Sequence, residues 1–181
     1  DPRSVASKIL KLNLGNFNIV QAGVFVAICS TILTYIFLRI LAGNISDDNL
    51  SENLVLDELL TYMTGIQPIY FTANQILQML LFASIITLGG KLFNGSGKFF
   101  EAFICIIWVE FILLIIKLLQ IILLPFSLIF SFLVLVPGVL WSLWAFASMA
   151  AAIHGFHSTL LTLCGGLGLS LLVFTILNIL F

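Results

Sequence analysis

The chain has 181 residues, of which 61% are hydrophobic and 8% are charged, and its formal net charge is −1. Globular proteins carry roughly 25% charged residues, so this composition argues against a soluble domain and predicts a single membrane domain. The near-neutral charge provides no overall basic surface that would hold nucleic acid.

Residues 1–16 predict a short cytoplasmic helix that lies at the membrane interface. Asp1 suits a helix cap and Pro2 suits the first helical position. The apolar residues that then recur at helical spacing are Val5, Ala6, Ile9 and Leu12. The cations between them, Arg3, Lys8 and Lys11, favour contact with an anionic leaflet. A frayed cationic tail is the alternative.

Residues 17–181 are predicted to form the membrane domain, and its first crossing spans about 19–41. The following loop, 43–67, contains no Lys or Arg and has the strongest charge asymmetry in the chain. Its acidic residues are Asp47, Asp48, Glu52, Asp57 and Glu58. Apolar residues share one helical stripe within it, so we predict an amphipathic helix on the outer membrane surface.

Four further crossings are predicted at about residues 69–93, 99–124, 137–156 and 158–180. The apolar stretch 125–156 is too long for one straight span of about 20 residues. We therefore predict a break at Pro137-Gly138, with 126–136 folded back near the outer interface. A further full crossing there is the alternative. The fold class is an all-α integral membrane protein, a five-transmembrane-helix bundle.

The distribution of Lys and Arg in short loops predicts the orientation. The first segment and the 91–98 loop together hold five cations, whereas the acidic loop 43–67 holds none. The N-terminus is therefore predicted to be cytoplasmic, the acidic loop external, and the C-terminus external after five crossings.

Glu110 is the most unusual charge in the sequence. It lies roughly 17 Å along the helix that begins at Phe99, close to the bilayer centre, while Lys117 is predicted near the far interface. The polar residues predicted at similar depth on other helices are Gln78, Ser148, Ser30 and Thr31. Asn74 and Gln78 share a face that should turn inward. A carboxyl that fixes helix register and a role in proton or ion movement are both compatible with this pattern.

No residue pattern predicts a catalytic, metal or cofactor site. His154 and His157 are three residues apart in a predicted tight turn, but no third ligand lies near them in sequence. We expect them to be helix-end residues. The glycine-rich loop 89–98 departs from a phosphate-loop motif at Leu92 and Phe99 and is predicted to be a turn.

Small residues predict that the last two crossings pack as a tight hairpin. Ala147 and Ala151 are four apart and are followed by Gly155. The next crossing contains Gly165, Gly166 and Ser170. In lipid, small residues at such spacing let two helix backbones approach closely.

Several short motifs resemble the bacterial members of the Yip1 family, in particular the alphaproteobacterial branch. These motifs are the opening Asp1-Pro2-Arg3-Ser4, Lys11-Leu-Asn-Leu-Gly15, the Gly-Gly-Lys loop at 89–91, Lys98-Phe-Phe-Glu-Ala-Phe103, and Trp141-Ser-Leu-Trp-Ala-Phe leading into Ala152-Ile-His-Gly-Phe-His-Ser158. The resemblance implies five membrane helices, a cytoplasmic N-terminus, a bacterial inner-membrane location with a periplasmic C-terminus, and no catalytic activity. Eukaryotic relatives bind Rab GTPases partly through an Asp-Leu-Tyr-Gly-Pro motif, which this sequence lacks.

Two main functional hypotheses follow from the sequence, and a third, an enzyme or redox anchor, would require a coloured cofactor. The first is a non-enzymatic scaffold or accessory subunit that works through contacts with lipid, with other integral membrane proteins or with itself. The alternative is a small transporter or ion-conducting protein centred on Glu110.

Overall fold

The computed structural model describes residues 1–12, 14–47 and 67–166 and the single positions 65, 168 and 175; for 42–47 it describes the backbone only. This part of the chain contains helices and no strands. The helices are α1 (Pro2–Lys11), α2 (Asn16–Asp47), α3 (Pro68–Leu92), α4 (Phe99–Leu123) and α5 (Leu128–His154). Residues 159–166 are also helical. The predicted all-α class is confirmed for the described residues.

Within these described ranges, four helices are long and apolar enough to cross a membrane. They are Asn16–Leu41, Pro68–Leu92, Phe99–Leu123 and Leu128–His154. At about 1.5 Å per residue, each exceeds the roughly 30 Å of a hydrocarbon core. The protein is therefore a helical membrane protein. Most of the predicted fifth crossing, 158–180, and of the predicted loop helix within 43–67 lies outside the described residues, although α2 continues to Asp47.

The central helix of the bundle is α4, which contacts each of the other four labelled helices. Its buried residues recur three and four apart, as expected for a helix that packs along one stripe. They include Ala102, Cys105, Ile106 and Val109, all of which belong to the main hydrophobic core. This stripe places α4 between its neighbours in the bundle.

The structure differs from the prediction at Pro137, because α5 runs from Leu128 to His154 without a break. Neighbouring helices in a membrane bundle tolerate proline, since other groups satisfy the backbone carbonyl that it leaves without a partner. The glycine that follows has a packing role: a Cβ on Gly138 would lie 3.1 Å from Cγ2 of Ile116. Pro137-Gly138 thus marks a close approach of α5 to α4, not a chain reversal.

The N-terminal helix α1 is capped by Asp1, whose side chain accepts a hydrogen bond of 3.1 Å from the Arg3 backbone N–H. Its apolar face packs against other helices, and the predicted contact with a leaflet stays a prediction. Ala6 is fully buried, and Val5 and Ile9 pack against the hydrophobic core, where α1 contacts α4 and α5. The amphipathic pattern is the same for a helix on lipid and a helix on protein, so the sequence did not distinguish them.

Candidate functional site

Glu110 and Lys117 lie on one face of α4, seven residues or about 10 Å apart along the helix. Both side chains are half-buried and border the same cavity of about 270 Å³. All four long helices line this cavity, which we call the chamber. Its polar lining residues are Ser30, Gln75, Glu110, Lys117, Gln120 and Ser142.

At one end of the chamber, α3 supplies the partner of the carboxylate. Nε2 of Gln75 donates a hydrogen bond of 3.2 Å to Oε2 of Glu110. Next to this contact, the Thr72 hydroxyl on α3 donates to the Thr31 hydroxyl on α2 at 3.0 Å. These bonds join α2, α3 and α4 at neighbouring levels of the bundle, and of the residues predicted at the depth of Glu110 they involve Thr31.

At the other end, α2 supplies the partners of the ammonium group. Nζ of Lys117 donates to Oγ of Ser30 at 3.0 Å and to Oγ1 of Thr34 at 2.9 Å. The depth predicted for Lys117, near the far interface, stays a prediction, and its side chain points into the bundle. The seven-residue spacing explains this, because seven residues are nearly two helical turns and return to the same face as Glu110.

Gln120, one turn beyond Lys117, is buried and bonds twice to α5. Its Nε2 donates to the Ser131 backbone carbonyl at 3.4 Å, and the Ser131 hydroxyl donates to the Gln120 backbone carbonyl at 3.2 Å. These bonds hold the Lys117 end of the chamber against α5. A water molecule occupies about 30 Å³ in the liquid, so the chamber has room for several waters or one small solute.

Two of the predicted polar candidates lie elsewhere. Gln78 is exposed, as is Asn74, so this pair faces outward. The inward stripe of α3 instead includes Thr72, Gln75 and Met79, which repeat at intervals of three and four. Ser148 is buried on α5 but does not line the chamber. Gln75 was not among the polar residues predicted at the depth of Glu110. It lies four residues before Met79, and this helical spacing was the signal that could have placed it on the inward stripe.

A second polar site lies at the opposite end of α5, around the buried imidazole of His154. Its Nδ1 accepts a hydrogen bond of 3.2 Å from the Gly97 backbone N–H, and its Nε2 lies 3.0 Å from the Ile86 carbonyl. A carbonyl only accepts, so these partners assign the proton to Nε2 of a neutral ring. The side chain therefore ties α5 to α3 and to the loop after α3.

Three glycines surround this ring. A Cβ on Gly90 or Gly95 would collide with imidazole atoms, and one on Gly97 would lie 2.7 Å from Cε1. The glycine-rich loop, predicted only as a turn, thus makes room for a side chain 57 residues away. We call His154 with Gly90, Gly95 and Gly97 the glycine cradle.

His157 lies three residues beyond the cradle and is exposed. Its backbone carbonyl accepts a hydrogen bond of 3.1 Å from Nη1 of Arg3, and the carbonyl of Phe156 accepts one from Nη2. Arg3 thereby fastens α1 to the turn that ends α5. In the part of the chain that the structure describes, no three His, Cys, Asp or Glu side chains are grouped so that they could hold a metal ion.

The small residues do not form the predicted tight hairpin where the structure describes them. Ala147 and Ala151 are buried, but Gly155 is the left-handed cap of α5, with φ of 73°. A Cβ on Gly166 would meet no neighbouring heavy atom within 4 Å.

A mostly apolar cavity of about 700 Å³ lies between α3, α5 and the 159–166 helix, with Ala147, Gly165 and Gly166 on its border. The two helices therefore do not approach closely at Gly166. Ser170 lies outside the described residues.

The fold and the site define a multi-pass helical membrane protein in which a glutamate and a lysine border one chamber between the four long helices. No family model, curated protein or solved structure matches the chain. The resemblance to bacterial Yip1 proteins therefore stays a prediction.

Proposed function

We propose that this protein is a non-enzymatic membrane protein that binds and moves a small polar solute or ion at the chamber. The observation that carries the proposal is that Glu110 and Lys117 both border one cavity lined by four membrane helices. Ionisable groups are costly inside a membrane, and they commonly mark substrate or ion pathways. A carboxyl that only fixes helix register would need no cavity beside it.

Flux across reconstituted vesicles tests this function. Vesicles containing the full chain are exposed to a panel of small ions and polar solutes, and charge movement or solute uptake is recorded. We expect flux of at least one panel member, which Glu110→Gln abolishes. Glu101→Gln is the matched control, because it makes the same chemical change on the same helix at a residue that does not line the chamber. Equal flux in wild-type protein, Glu110→Gln protein and empty vesicles would rule the proposal out.

The proposal includes the location and orientation expected from the sequence. The protein lies in a bacterial inner membrane with its N-terminus in the cytoplasm and the 43–67 loop on the periplasmic side. Lys8 and Lys11 remain exposed on α1, which supports an orientation with this helix facing the cytoplasm. A single cysteine placed at position 8 should react with an impermeant thiol reagent only in inverted vesicles.

A second candidate function is that of a scaffold or accessory subunit. The observation in its favour is the outward-facing pair Asn74 and Gln78, which lies within the apolar helix α3. A side-chain amide exposed to hydrocarbon stabilises helix association by about 1 kcal/mol when it forms a hydrogen bond to another helix. A neighbouring membrane protein or another copy of the chain would supply such a helix.

The mass of the protein in mild detergent tests this second function. Asn74→Leu combined with Gln78→Leu should shift a larger assembly to the monomer. The control is Leu77→Ala combined with Leu81→Ala, which changes exposed apolar residues of α3 instead. A monomeric wild-type protein without copurifying chains would contradict the scaffold function and leave the chamber proposal unaffected.

A further inference from the structure

The two charges in the chamber retain hydrogen-bonding capacity. A carboxylate accepts about four hydrogen bonds and an ammonium donates three. In the described part of the chain, Glu110 accepts one side-chain bond, from Gln75, and Lys117 donates two, to Ser30 and Thr34. Both groups border the chamber, so the remaining capacity is available to a molecule inside it.

The two ends of the chamber offer opposite chemistry. At the first end, Glu110 is an acceptor, and Gln75 uses its amide N–H toward Glu110, which leaves its carbonyl oxygen as a second acceptor. At the second end, Lys117 and the Nε2 group of Gln120 are donors. A ligand that matches both ends carries a cationic donor on one side and an anionic acceptor on the other.

Charge balance favours the same class of ligand. Glu110 and Lys117 sum to zero, so a ligand without net charge keeps the chamber neutral. A lone cation or anion would add an uncompensated charge to a site between membrane helices, where the penalty is several kcal/mol. Charge balance therefore favours a net-neutral dipolar ligand over a simple ion.

We propose that the chamber binds a small zwitterionic solute, with its ammonium group against Glu110 and Gln75 and its carboxylate against Lys117 and Gln120. This inference rests on the proposed function and names its ligand class. The charges of the protein are about two helical turns apart, so a linear amino acid whose charges are separated by several bonds suits the site better than glycine. The volume of about 270 Å³ admits such a molecule.

Binding to the full chain in detergent tests the ligand class. The probes are glycine, β-alanine and 4-aminobutyrate, with butylamine and butyrate as matched molecules that carry only one of the two charges. We expect each zwitterion to give a saturable heat of binding or to raise the melting temperature. The affinity should increase from glycine through β-alanine to 4-aminobutyrate. The single-charge molecules should bind at least about tenfold more weakly, because each leaves one end of the chamber without a charge-assisted partner.

Variants separate this inference from the proposed function. Glu110→Gln and Lys117→Met should each weaken zwitterion binding at least about tenfold, whereas Glu101→Gln and Lys91→Met should not change it. If butylamine or a metal cation binds as well as the zwitterions, the ligand class is wrong and the chamber proposal stands. If no probe binds and the vesicles show no flux, both are wrong. The comparison among probes uses wild-type protein, so a variant that fails to fold does not affect it.

Discussion

Glu110 and Lys117 face the same chamber from one helix, yet each bonds to a neutral partner on a different neighbour. The carboxylate of Glu110 accepts from Gln75 on α3, and the ammonium of Lys117 donates to Ser30 and Thr34 on α2. The two charges therefore fasten the central helix to two others while remaining open to a common space.

The contributions of Glu110 and Lys117 to the stability of the protein should be coupled. Lys117→Met leaves Glu110 as the lone charge of the chamber, so it should lower the melting temperature of the detergent-solubilised protein. The loss should be smaller when Glu110→Gln is already present, with a coupling free energy of about 0.5–3 kcal/mol. Strictly additive effects in this double-mutant cycle would mean that the charges do not sense each other.

The glycine cradle should be intolerant of a single methyl group. Gly90→Ala places a Cβ against the His154 ring and should destabilise the protein by about 1–3 kcal/mol, measured by thermal unfolding. Gly166→Ala is the control, because position 166 is also helical and has space for a Cβ. In a helix, alanine is more favourable than glycine by up to about 1 kcal/mol, so the Gly166→Ala protein should be as stable as the wild type or more stable. A stabilised Gly90→Ala protein would contradict the cradle.

The two histidines should differ in their contribution to stability. His154→Phe keeps an aromatic ring but removes the bonds to Gly97 and Ile86, so the loss should be about 1–3 kcal/mol. The same change at exposed His157 should have little effect. Hydrogen exchange of the Gly97 amide provides a second measurement and should become faster only in His154→Phe. Similar behaviour of the two variants would show that the buried ring is not the connection between α5 and the loop.

The contact between α1 and the end of α5 should depend on Arg3. Arg3→Met removes the donors to the carbonyls of Phe156 and His157, so α1 should detach more often and the 12–15 linker should be cut faster in limited proteolysis. Lys8→Met removes an exposed cation from the same helix and should leave the cleavage rate unchanged. Equal rates for Arg3→Met and wild-type protein would assign the docking to the apolar face alone.

Much of the fold could be predicted because long apolar runs have few options in a membrane. Such runs located α3 and α4 within one residue of their ends and the apolar part of α2, Asn16–Leu41, within three, but they did not predict that α2 continues to Asp47. The sequence was less informative at Pro137, where the same Pro-Gly pair is compatible with a break or with a continuous helix that packs closely on α4. The contact with Ile116 that distinguishes these outcomes comes from another helix.

The site was predictable only in part, because helix rotation depends on neighbouring helices. Glu110 could be singled out from its depth, but its partner is Gln75 rather than Gln78, and a difference of only about 60° around the helix separates these two positions. The hydrogen bond from Gly97 to His154 joins residues that are 57 positions apart, so no local sequence pattern predicts it. Glycines at 90, 95 and 97 were the available signal.

The most direct test of the chamber is the chemical accessibility of Ser142, which lines it from α5. Cys29, Cys105 and Cys164 are replaced by alanine, and Ser142→Cys is exposed in lipid vesicles to a small, charged thiol reagent. Ala145→Cys, on the same helix and fully buried, is the control. A chamber that admits solutes predicts rapid modification at position 142 and slow modification at position 145. Equally slow modification at both positions would contradict it.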